Sequence, residues 1–334
     1  MRPLLLAGVD ISKDWFDAAT SDGTGTLRTR RFDNDAGGHR AFIGWLDQPA
    51  RVVMEATGTY GLDLALALHA APGAEVMVAN PRQVKGFAQA AAQRAKTDHA
   101  DARMILHFAQ AMPFERWTPP APAVVELRAM SRRIAALSAE RTREKNRLHA
   151  LTTSASHSRL VARDIEVNLR HLTRRIAQME AQAVALVGEH TALSEAFSHL
   201  TSVKGIAAKT AVTLLAELLV LPEGMTAKQW VAHAGLDPRE VTSGSSVRGK
   251  VRISKVGNVH LRRALYMPAL VASRSEPRVQ AFYEELRARG KTPKVALVAV
   301  MRKLLHAAHG MLRHGEDFDG ERFRATPHKV PAEA

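Results

Sequence analysis

The amino-acid sequence predicts an α/β domain at the amino end, followed by a helical region over the rest of the chain. Three observations support this fold class. Short apolar runs alternate with helical segments as far as residue 117, a pattern typical of layered α/β folds. The proline-rich stretch TPPAPA at 118–123 cannot continue a helix and marks a boundary. Beyond it, apolar residues recur at spacings of three and four, the period of packed helices.

The elements of the first domain, residues 1–117, follow in a regular order. The runs LLLAGVDIS, WFDAATSD and TLRTRRFD predict a three-stranded meander, with the turn sequence DGTG between the last two. GGHRAFIGWLDQ predicts a helix, RVVMEATG a buried strand that ends at Glu55, and GLDLALALHAA a second helix. AEVMVANP predicts a strand that ends before Pro81, and a further helix holds RAKTDHADARMI at 94–105.

Two helical arms are expected next, over residues 124–190. About three heptads in each arm predict a coiled coil or an antiparallel helical hairpin, with TTSASHS at the turn. The heptad positions of the first arm are Leu127, Met130, Ile134, Leu137, Leu148 and Leu151, with Arg141 and Glu144 in a polar gap. Those of the second arm are Ile165, Leu169, Leu172, Ile176, Met179, Ala183 and Leu186. Residues 195–313 predict a mostly helical C-terminal domain, and residues 314–334 a flexible tail.

Charge is distributed unevenly along the 334 residues. The net charge of +14 lies entirely in residues 119–334, because residues 1–118 hold 13 basic and 13 acidic side chains. Such asymmetry indicates a polyanionic partner for the second half, although a basic surface that only aids solubility is the alternative. The absence of cysteine excludes disulfides, thiol catalysis and Cys-ligated zinc. The N-terminal apolar run is too short for a signal sequence, and we expect a cytoplasmic protein without membrane spans.

Four acidic residues in the first half form a candidate metal site. Asp10 and Glu55 end predicted strands, and Asp98 and Asp101 share one face of a predicted helix because they are three residues apart. Four converging carboxylates would need cations, and oxygen ligands favour Mg²⁺ or Mn²⁺. Two such ions can clamp the attacking and leaving oxygens of a phosphodiester. Taken singly, each acid is better explained as a turn former or as part of a solvated helix face.

The second half holds two candidate nucleic-acid contacts. LTSVKGIAAKTAVTLLAEL at 200–218 predicts a helix-hairpin-helix whose Lys204–Gly205 turn offers backbone N–H groups to phosphate, or else an ordinary glycine turn. The stretch 239–263 has seven basic residues and one acid, which are enough cations to neutralise several phosphates: Arg239, Arg248, Lys250, Arg252, Lys255, Arg262 and Arg263.

Serines lie among these cations, where a hydroxyl nucleophile toward a phosphodiester is plausible. The serines of this stretch are Ser243, Ser245, Ser246 and Ser254. GSSVRGKV resembles a phosphate-binding loop, but Val251 stands where Ser or Thr would bind Mg²⁺, which excludes an NTPase. We interpret His306, His309 and His314 as exposed or DNA-facing residues and not as a metal site.

The ordered set of motifs resembles the DEDD-type insertion-sequence transposases, a family related to the Piv-type DNA invertases. In the first half the matching motifs are Gly8-Val9-Asp10-Ile11-Ser12-Lys13, Glu55-Ala56-Thr57-Gly58-Thr59-Tyr60, Asn80-Pro81 and Lys96-Thr97-Asp98-His99-Ala100-Asp101-Ala102. In the second half they are Gly235-Leu236-Asp237-Pro238, Ser243-Gly244, Ile253-Ser254-Lys255-Val256-Gly257-Asn258 and Leu261-Arg262. The match spans roughly residues 5–310.

The resemblance implies a RuvC-like domain with the ribonuclease H fold, a metal-binding quartet of Asp10, Glu55, Asp98 and Asp101, and a nucleophilic serine. That serine maps to Ser243, with Ser245 and Ser246 as nearby alternatives. The resemblance also implies donor and target DNA, a structured guide (bridge) RNA, and a homo-oligomer in which dimers assemble to a tetramer. The expected activity is cutting and rejoining of DNA through a phosphoserine intermediate.

Two other functions stay open at this point. One is a RuvC-like metal-dependent nuclease or junction resolvase in which water is the nucleophile. The other is a DNA-binding protein whose acids take no part in catalysis.

Overall fold

The computed structural model describes residues 4–21, 26–47, 49–56, 58, 60–91, 98–153, 156–240, 242–243, 247–248 and 252–324. Only the backbone is described for Asp98, His99, Thr242, Ser243, Val247, Arg248 and Arg324. The chain divides into two units, Met1–Pro119 and Pro120–Ala334.

The first unit is built on a five-stranded mixed sheet, as the α/β prediction requires. Its strands are β1 (Leu5–Ile11), β2 (Trp15–Ser21), β3 (Leu27–Asp33), β4 (Ala50–Glu55) and β5 (Ala74–Ala79), in the order β3-β2-β1-β4-β5. The antiparallel pairs β1–β2 and β2–β3 confirm the predicted meander. Parallel pairs join β1 to β4 and β4 to β5. The helices are α1 (Ala36–Leu46), α2 (Leu62–Ala70), α3 (Pro81–Ala90) and α4 (Asp98–Ala111).

The two faces of the sheet pack against different helices because successive strand residues point to opposite faces. Ala7, Val9 and Val52 share a core with Phe42 of α1 and Leu64 of α2. On the other face, Val53 and Met77 pack with Ile105 and Phe108 of α4, and Ala19 packs with Leu106. The odd-numbered positions of β1 thus face α1 and α2, which leaves Leu6, Gly8 and Asp10 on the α4 face.

Helix α3 was not predicted from the sequence, which placed only a strand end at Pro81. Its start follows two local rules. The Asn80 side chain accepts a hydrogen bond from the backbone N–H of Arg82, and Pro81 occupies the first helical position, where its missing N–H costs nothing. Of the predicted helix at 94–105, α4 supplies the part from Asp98 onward; residues 94–97 lie outside the described residues.

The second unit is mostly helical, as predicted. Its helices are α5 (Pro122–Thr152), α6 (Arg159–Gly188), α7 (Thr191–Thr201), α8 (Ala208–Leu218), α9 (Ala227–His233), α10 (Val259–Ser275), α11 (Pro277–Ala288), α12 (Pro293–His314) and α13 (Gly320–Arg324). Four two-residue strands lie between α9 and α10: β6 (Pro238–Arg239), β7 (Thr242–Ser243), β8 (Val247–Arg248) and β9 (Arg252–Ile253).

Helices α5 and α6 are the two predicted arms, and they pack against each other. Leu127, Ile134 and Leu137 of α5 share a buried core with Leu172 and Ile176 of α6, so the apolar spacing identified the inward faces. Glu144, which the sequence placed in a polar gap, is buried and forms an ion pair with Arg147 one turn further along α5.

Helix α12 is the central helix of the second unit. Its length and composition would suffice for a membrane span, but Leu297, Val300 and Leu304 pack in the unit's core. Residues 320–324, within the segment that the sequence predicts to be a flexible tail, are helical. These form α13, whose Phe323 is buried while Lys303 lies over its ring.

Candidate active-site residues

A row of four charged side chains crosses the sheet of the first unit near the carboxyl end of β1 and β4. The register of the parallel β1–β4 pair runs as far as Val9 opposite Met54, and the next residues along the two strands are Asp10 and Glu55. Asp10 also pairs with Asp17 of β2, which in turn pairs with Arg31 of β3. Because laterally aligned residues of neighbouring strands share a face, all four belong to the face that α4 covers.

Helix α4 can approach β1 closely because Gly8 has no side chain. A Cβ at Gly8 would lie 2.2 Å from the backbone nitrogen of Leu106 and 2.6 Å from the carbonyl oxygen of Ala102. Ala102 and Leu106 are accordingly buried against the sheet. This contact brings Asp101, the residue before Ala102, toward the end of the sheet where Glu55 lies.

The carboxylates of Glu55 and Asp101 interact electrostatically. Burial raises the pKa of Glu55 above its ordinary value, and the negative charge of Asp101 raises it further. Both effects disfavour the ionised form of Glu55, so a cation placed between the two groups would stabilise it.

The complete carboxylate quartet cannot be assembled from the described side chains. Asp98 begins α4 one turn before Asp101, but its side chain lies outside the described residues. Among the residues whose side chains are described, no group of three or more His, Cys, Asp or Glu is arranged to hold a metal ion. Asp10, Glu55 and Asp101 supply the oxygen donors that Mg²⁺ and Mn²⁺ prefer, and the four-residue site stays a prediction.

The Asp17–Arg31 pair was missed by the sequence analysis. Asp17 is 1% exposed, and its carboxylate accepts hydrogen bonds from Nε of Arg31 at 3.2 Å and from Nη2 at 2.7 Å. The guanidinium also lies over the ring of Trp15. An acid at the centre of the apolar run WFDAAT was the available signal, since a buried carboxylate needs a partner.

In the second unit the basic stretch forms a hairpin. Strands β6 and β9 pair antiparallel at its root, and β7 and β8 pair nearer its tip, where Ser243 aligns with Val247. The hydroxyl of Ser243 is not among the described side chains, and Ser245, Ser246 and Lys250 lie wholly outside the described residues. The backbone therefore locates the predicted nucleophile on the hairpin without giving the direction of its side chain.

The root of the hairpin is held by short hydrogen bonds. The Ser254 hydroxyl donates to Asp237 Oδ1 at 2.6 Å and accepts from the backbone N–H of Val256, so this serine has a structural role. Gly257 has φ of +119°, and a Cβ there would lie 2.1 Å from the carbonyl oxygen of His233. Lys255 also has positive φ, at +54°.

The predicted phosphate-binding cations divide into two groups. Arg239, Arg252, Lys255 and Arg263 are exposed and available to a polyanion. Arg262 instead donates from Nη1 to the carbonyl oxygens of Ala234 at 2.8 Å, Gly257 at 3.3 Å and Asn258 at 3.4 Å. Arg262 thus secures the hairpin root; the side chain of Arg248 is outside the described set.

The Lys204–Gly205 turn between α7 and α8 is packed against the protein. A Cβ at Gly205, whose φ is +104°, would lie 2.9 Å from the carbonyl oxygen of Pro268 in α10. The ammonium of Lys204 lies 3.7 Å from Glu276 and 3.5 Å from the Ser275 carbonyl oxygen. Both residues of the turn therefore have contacts within the protein, as in an ordinary glycine turn.

The C-terminal histidines do not cluster as ligands in the described structure. His309 is partly buried, contrary to the expectation of exposure. Its Nε2 lies 2.8 Å from the Met225 carbonyl oxygen, and its ring packs edge-on against Trp230. His306 and His314 line a cavity beneath α13 and are exposed.

Comparison with known families gives two matches. A family model for DEDD transposases of the IS110 type matches residues 7–157, and a model for transposases of the IS116/IS110/IS902 family matches residues 197–284. The first match contains Asp10, Glu55, Asp98 and Asp101, and the second contains Ser243.

Curated relatives point the same way. The chain is 29% identical over 322 residues to a pilin gene-inverting protein of Moraxella bovis, which covers 93% of this chain and 97% of the relative. It is 29% identical over 325 residues to the pilin gene-inverting protein of Moraxella lacunata, with the same coverage. It is 33% identical over 141 residues to a 43.6 kDa protein of insertion element IS110 from Streptomyces coelicolor, covering 42% of this chain and 34% of that protein.

Proposed function

Because the chain belongs to the IS110 family of insertion-sequence transposases, and is therefore a DNA transposase or recombinase, we propose that it cuts and rejoins DNA through a serine–DNA intermediate at a carboxylate-bound metal. The observation that carries the proposal is the juxtaposition of Asp10 and Glu55 on neighbouring strands, with the charge of Asp101 acting on Glu55 from α4.

The carboxylates have a binding role in this proposal. Asp10, Glu55, Asp98 and Asp101 would hold Mg²⁺ or Mn²⁺, which when bound supplies positive charge to the scissile phosphate and its leaving oxygen. The raised pKa of Glu55 supports this role, because a crowded and partly buried acid gains most from a neighbouring cation. The chain's own contribution is to fix the carboxylates on a rigid sheet edge and on the helix that Gly8 admits.

Ser243 has the nucleophilic role. Its oxygen forms a bond to phosphorus, the bond from phosphorus to a sugar oxygen breaks, the serine proton passes to solvent, and the departing sugar oxygen takes up a proton. Attack by a hydroxyl of another strand on the same phosphorus then releases serine and restores a phosphodiester. The exposed cations Arg239, Arg252 and Lys255 flank the hairpin and favour approach of the phosphate backbone.

The finer fold assignments are also part of the proposal. Three antiparallel strands followed by two parallel strands, with acids on the central β1–β4 pair, support a RuvC-like ribonuclease H domain. The helix–turn–helix of α7 and α8 supports a helix-hairpin-helix only in outline, since its turn is packed against α10.

The proposed partners are donor and target DNA, a structured guide RNA and further copies of this chain, acting in the cytoplasm. Gene inversion, for which the Moraxella relatives are named, requires two DNA sites in one assembly and therefore favours an oligomer. Leu160 and Val167 lie seven residues apart on α6 and are 83% and 50% exposed. This exposed apolar pair supports a contact between the α6 helices of two copies of the chain.

Covalent trapping tests the mechanism. Protein would be mixed with end-labelled DNA from the flanks of its own coding sequence, RNA transcribed from those flanks, and Mg²⁺, then denatured and examined for labelled protein. We expect an adduct that maps to Ser243, is lost in Ser243→Ala and persists in Ser194→Ala, which changes an exposed serine of α7. Cleavage of DNA by Ser243→Ala at the wild-type rate would instead indicate water as the nucleophile. Transfer of the adduct to Ser245 or Ser246 would reassign the serine.

A further inference from the structure

The carboxylate of Glu217 in α8 joins three parts of the second unit. Its side chain is fully buried. Oε1 accepts from Arg132 Nε at 3.0 Å, while Oε2 accepts from Arg132 Nη2 at 3.3 Å and from Asn258 Nδ2 at 2.7 Å. Arg128 Nε lies 3.4 Å from Oε2. Both arginines belong to α5, and Asn258 stands between the hairpin and α10.

Glu217 stays ionised in this environment. Burial alone would raise its pKa, but the hydrogen bonds from Arg132 and Asn258 and the charges of Arg128 and Arg132 outweigh burial and lower it. A charged hydrogen-bond acceptor inside the unit is stronger and more directional than a neutral one. The carboxylate therefore fixes the direction of the Asn258 amide.

Asn258 connects the Glu217 carboxylate to the start of α10 and to the root of the hairpin. Its Oδ1 accepts from the backbone N–H groups of His260 and Leu261, which caps α10, and its backbone N–H donates to the carbonyl oxygen of His233 at 2.7 Å. Four residues earlier, Ser254 is bonded to Asp237 on the other side of the hairpin root. The side-chain amide of Asn258 therefore donates through Nδ2 to Glu217 and accepts through Oδ1 from the first turn of α10. A shift of the chain at the end of β9 would break one of these bonds or the Ser254–Asp237 bond.

We propose that Glu217 is a positioning residue for the serine hairpin, linking α5 through Asn258 to the segment that carries Ser243. This inference rests on the proposed role of Ser243. It has a geometric consequence that does not depend on the chemistry: loss of the Glu217 charge loosens the hairpin root. Displacement of a nucleophile by about 1 Å can lower a reaction rate by ~100-fold.

The test compares Glu217→Gln with Glu180→Gln in the full-length protein. Glu180 is the matched control because it too forms an ion pair between helices of the second unit, with Lys209 of α8. In Glu217→Gln we expect the rate of adduct formation at saturating DNA to fall ~10- to 100-fold, with DNA affinity changed by less than about twofold. Glu180→Gln should leave both within about twofold of wild type, since that pair is partly exposed.

A double variant that reverses the donor and acceptor of the hydrogen bond between residues 217 and 258 should restore adduct formation. In the double variant Glu217→Gln with Asn258→Asp, the new amide donates to the new carboxylate, and Asp still caps α10. Adduct formation should recover to within about threefold of wild type. If Glu217→Gln does not fold, as judged by circular dichroism, Asn258→Ser keeps a cap while removing the bond to Glu217, and the same loss is expected. A folded Glu217→Gln or Asn258→Ser variant that forms adduct at the wild-type rate would overturn the proposal, as would a folded double variant without recovery.

Trypsin cleavage after Arg239 and Arg252 separates failure of this inference from failure of the proposed function. Both arginines are exposed at the hairpin root. We expect faster cleavage there in Glu217→Gln than in Glu180→Gln whether or not a serine adduct forms. A wild-type protein without an adduct would refute the serine mechanism, whereas unchanged cleavage kinetics would refute the positioning role.

Discussion

Glu55 in the first unit is partly buried and Glu217 in the second is fully buried, and their surroundings shift the two pKa values in opposite directions. Burial and the negative charge of Asp101 raise the pKa of Glu55. Burial of Glu217 is outweighed by Arg132, Asn258 and Arg128, and its pKa is lowered. The difference indicates where a ligand would be stabilising. The charge of Glu217 is neutralised by groups of the protein, whereas a bound cation would favour the ionised form of Glu55.

Asp17 and Asp10, two of the three carboxylates in the row across the sheet, also differ in their neighbours. Asp17 is compensated by Arg31, whereas its cross-strand neighbour Asp10 lies beside Glu55. On this account, the Asp17–Arg31 pair stabilises the fold, and the carboxylates of Asp10 and Glu55 belong to the proposed metal site.

Gly8→Val should disrupt the first unit, because the added side chain meets the backbone of α4 at Ala102 and Leu106. We expect a loss of more than about 3 kcal/mol in unfolding free energy, above the usual range for overpacking. Gly44→Ala is the control: it has open space in α1 and should gain up to about 1 kcal/mol. Urea unfolding checks both, and a wild-type stability for Gly8→Val would show that α4 does not need the close approach.

Glu217→Gln should lower the free energy of unfolding by about 2–3 kcal/mol at pH 7. This loss is small for a broken buried ion pair because Arg128 and Arg132 are partly exposed. The folded-state pKa of Glu217 lies below the ordinary value of 4.5, so this stability is present above that pH and is lost as pH falls through the folded-state pKa. Urea unfolding from pH 7 to pH 3 should show the difference between wild type and variant shrinking in acid. A difference independent of pH would contradict the ionised assignment.

Arg31→Gln should destabilise the first unit by about 1–2 kcal/mol, because it removes the guanidinium that bonds the buried Asp17 carboxylate. Arg51→Gln is a matched control on the same sheet. It breaks a cross-strand pair with Glu75, whose side chain is 33% exposed, and should cost less than about 1 kcal/mol. Equal losses in thermal unfolding would mean that burial of Asp17 does not set the energy of its pair.

Glu55→Gln should slightly stabilise the protein in EDTA at neutral pH, by less than about 1 kcal/mol. A raised folded-state pKa means that ionised Glu55 opposes folding above that pKa, and the penalty vanishes as pH falls below the ordinary value of 4.5. The stabilisation should therefore be seen at pH 7 and disappear near pH 4. Destabilisation in EDTA at pH 7 would show that Glu55 is already compensated.

The sequence predicted the layers of the first unit because β1 and β4 are short apolar runs whose ends are marked by Asp10 and Glu55. It missed α3, since its apolar content is low and its start depends on the Asn80 cap and Pro81. It also missed the pairing of Asp17 with Arg31, because the two apolar runs do not set the register of β2 against β3, and a shift of one residue would move Arg31 to the other face of the sheet.

In the second unit the sequence identified the basic stretch 239–263, but it did not show which of its residues are exposed and which hold the hairpin root. Arg262 and Ser254 resembled candidate site residues by composition, yet both bind the hairpin root. The sequence did not indicate a role for Glu217 in the apolar segment of α8, because its partners Arg132 and Asn258 are 85 and 41 residues away. Long-range charge compensation of this kind is visible only after folding.

Calorimetric titration of Mg²⁺ and Mn²⁺ into the full-length protein tests the central claim most directly. The account predicts binding by wild type and by Glu217→Gln, and a loss of at least about tenfold in affinity in Glu55→Gln and in Asp101→Asn. Absence of binding in wild type, or equal affinity in all four proteins, would contradict the assignment of Glu55 and Asp101 to the metal site.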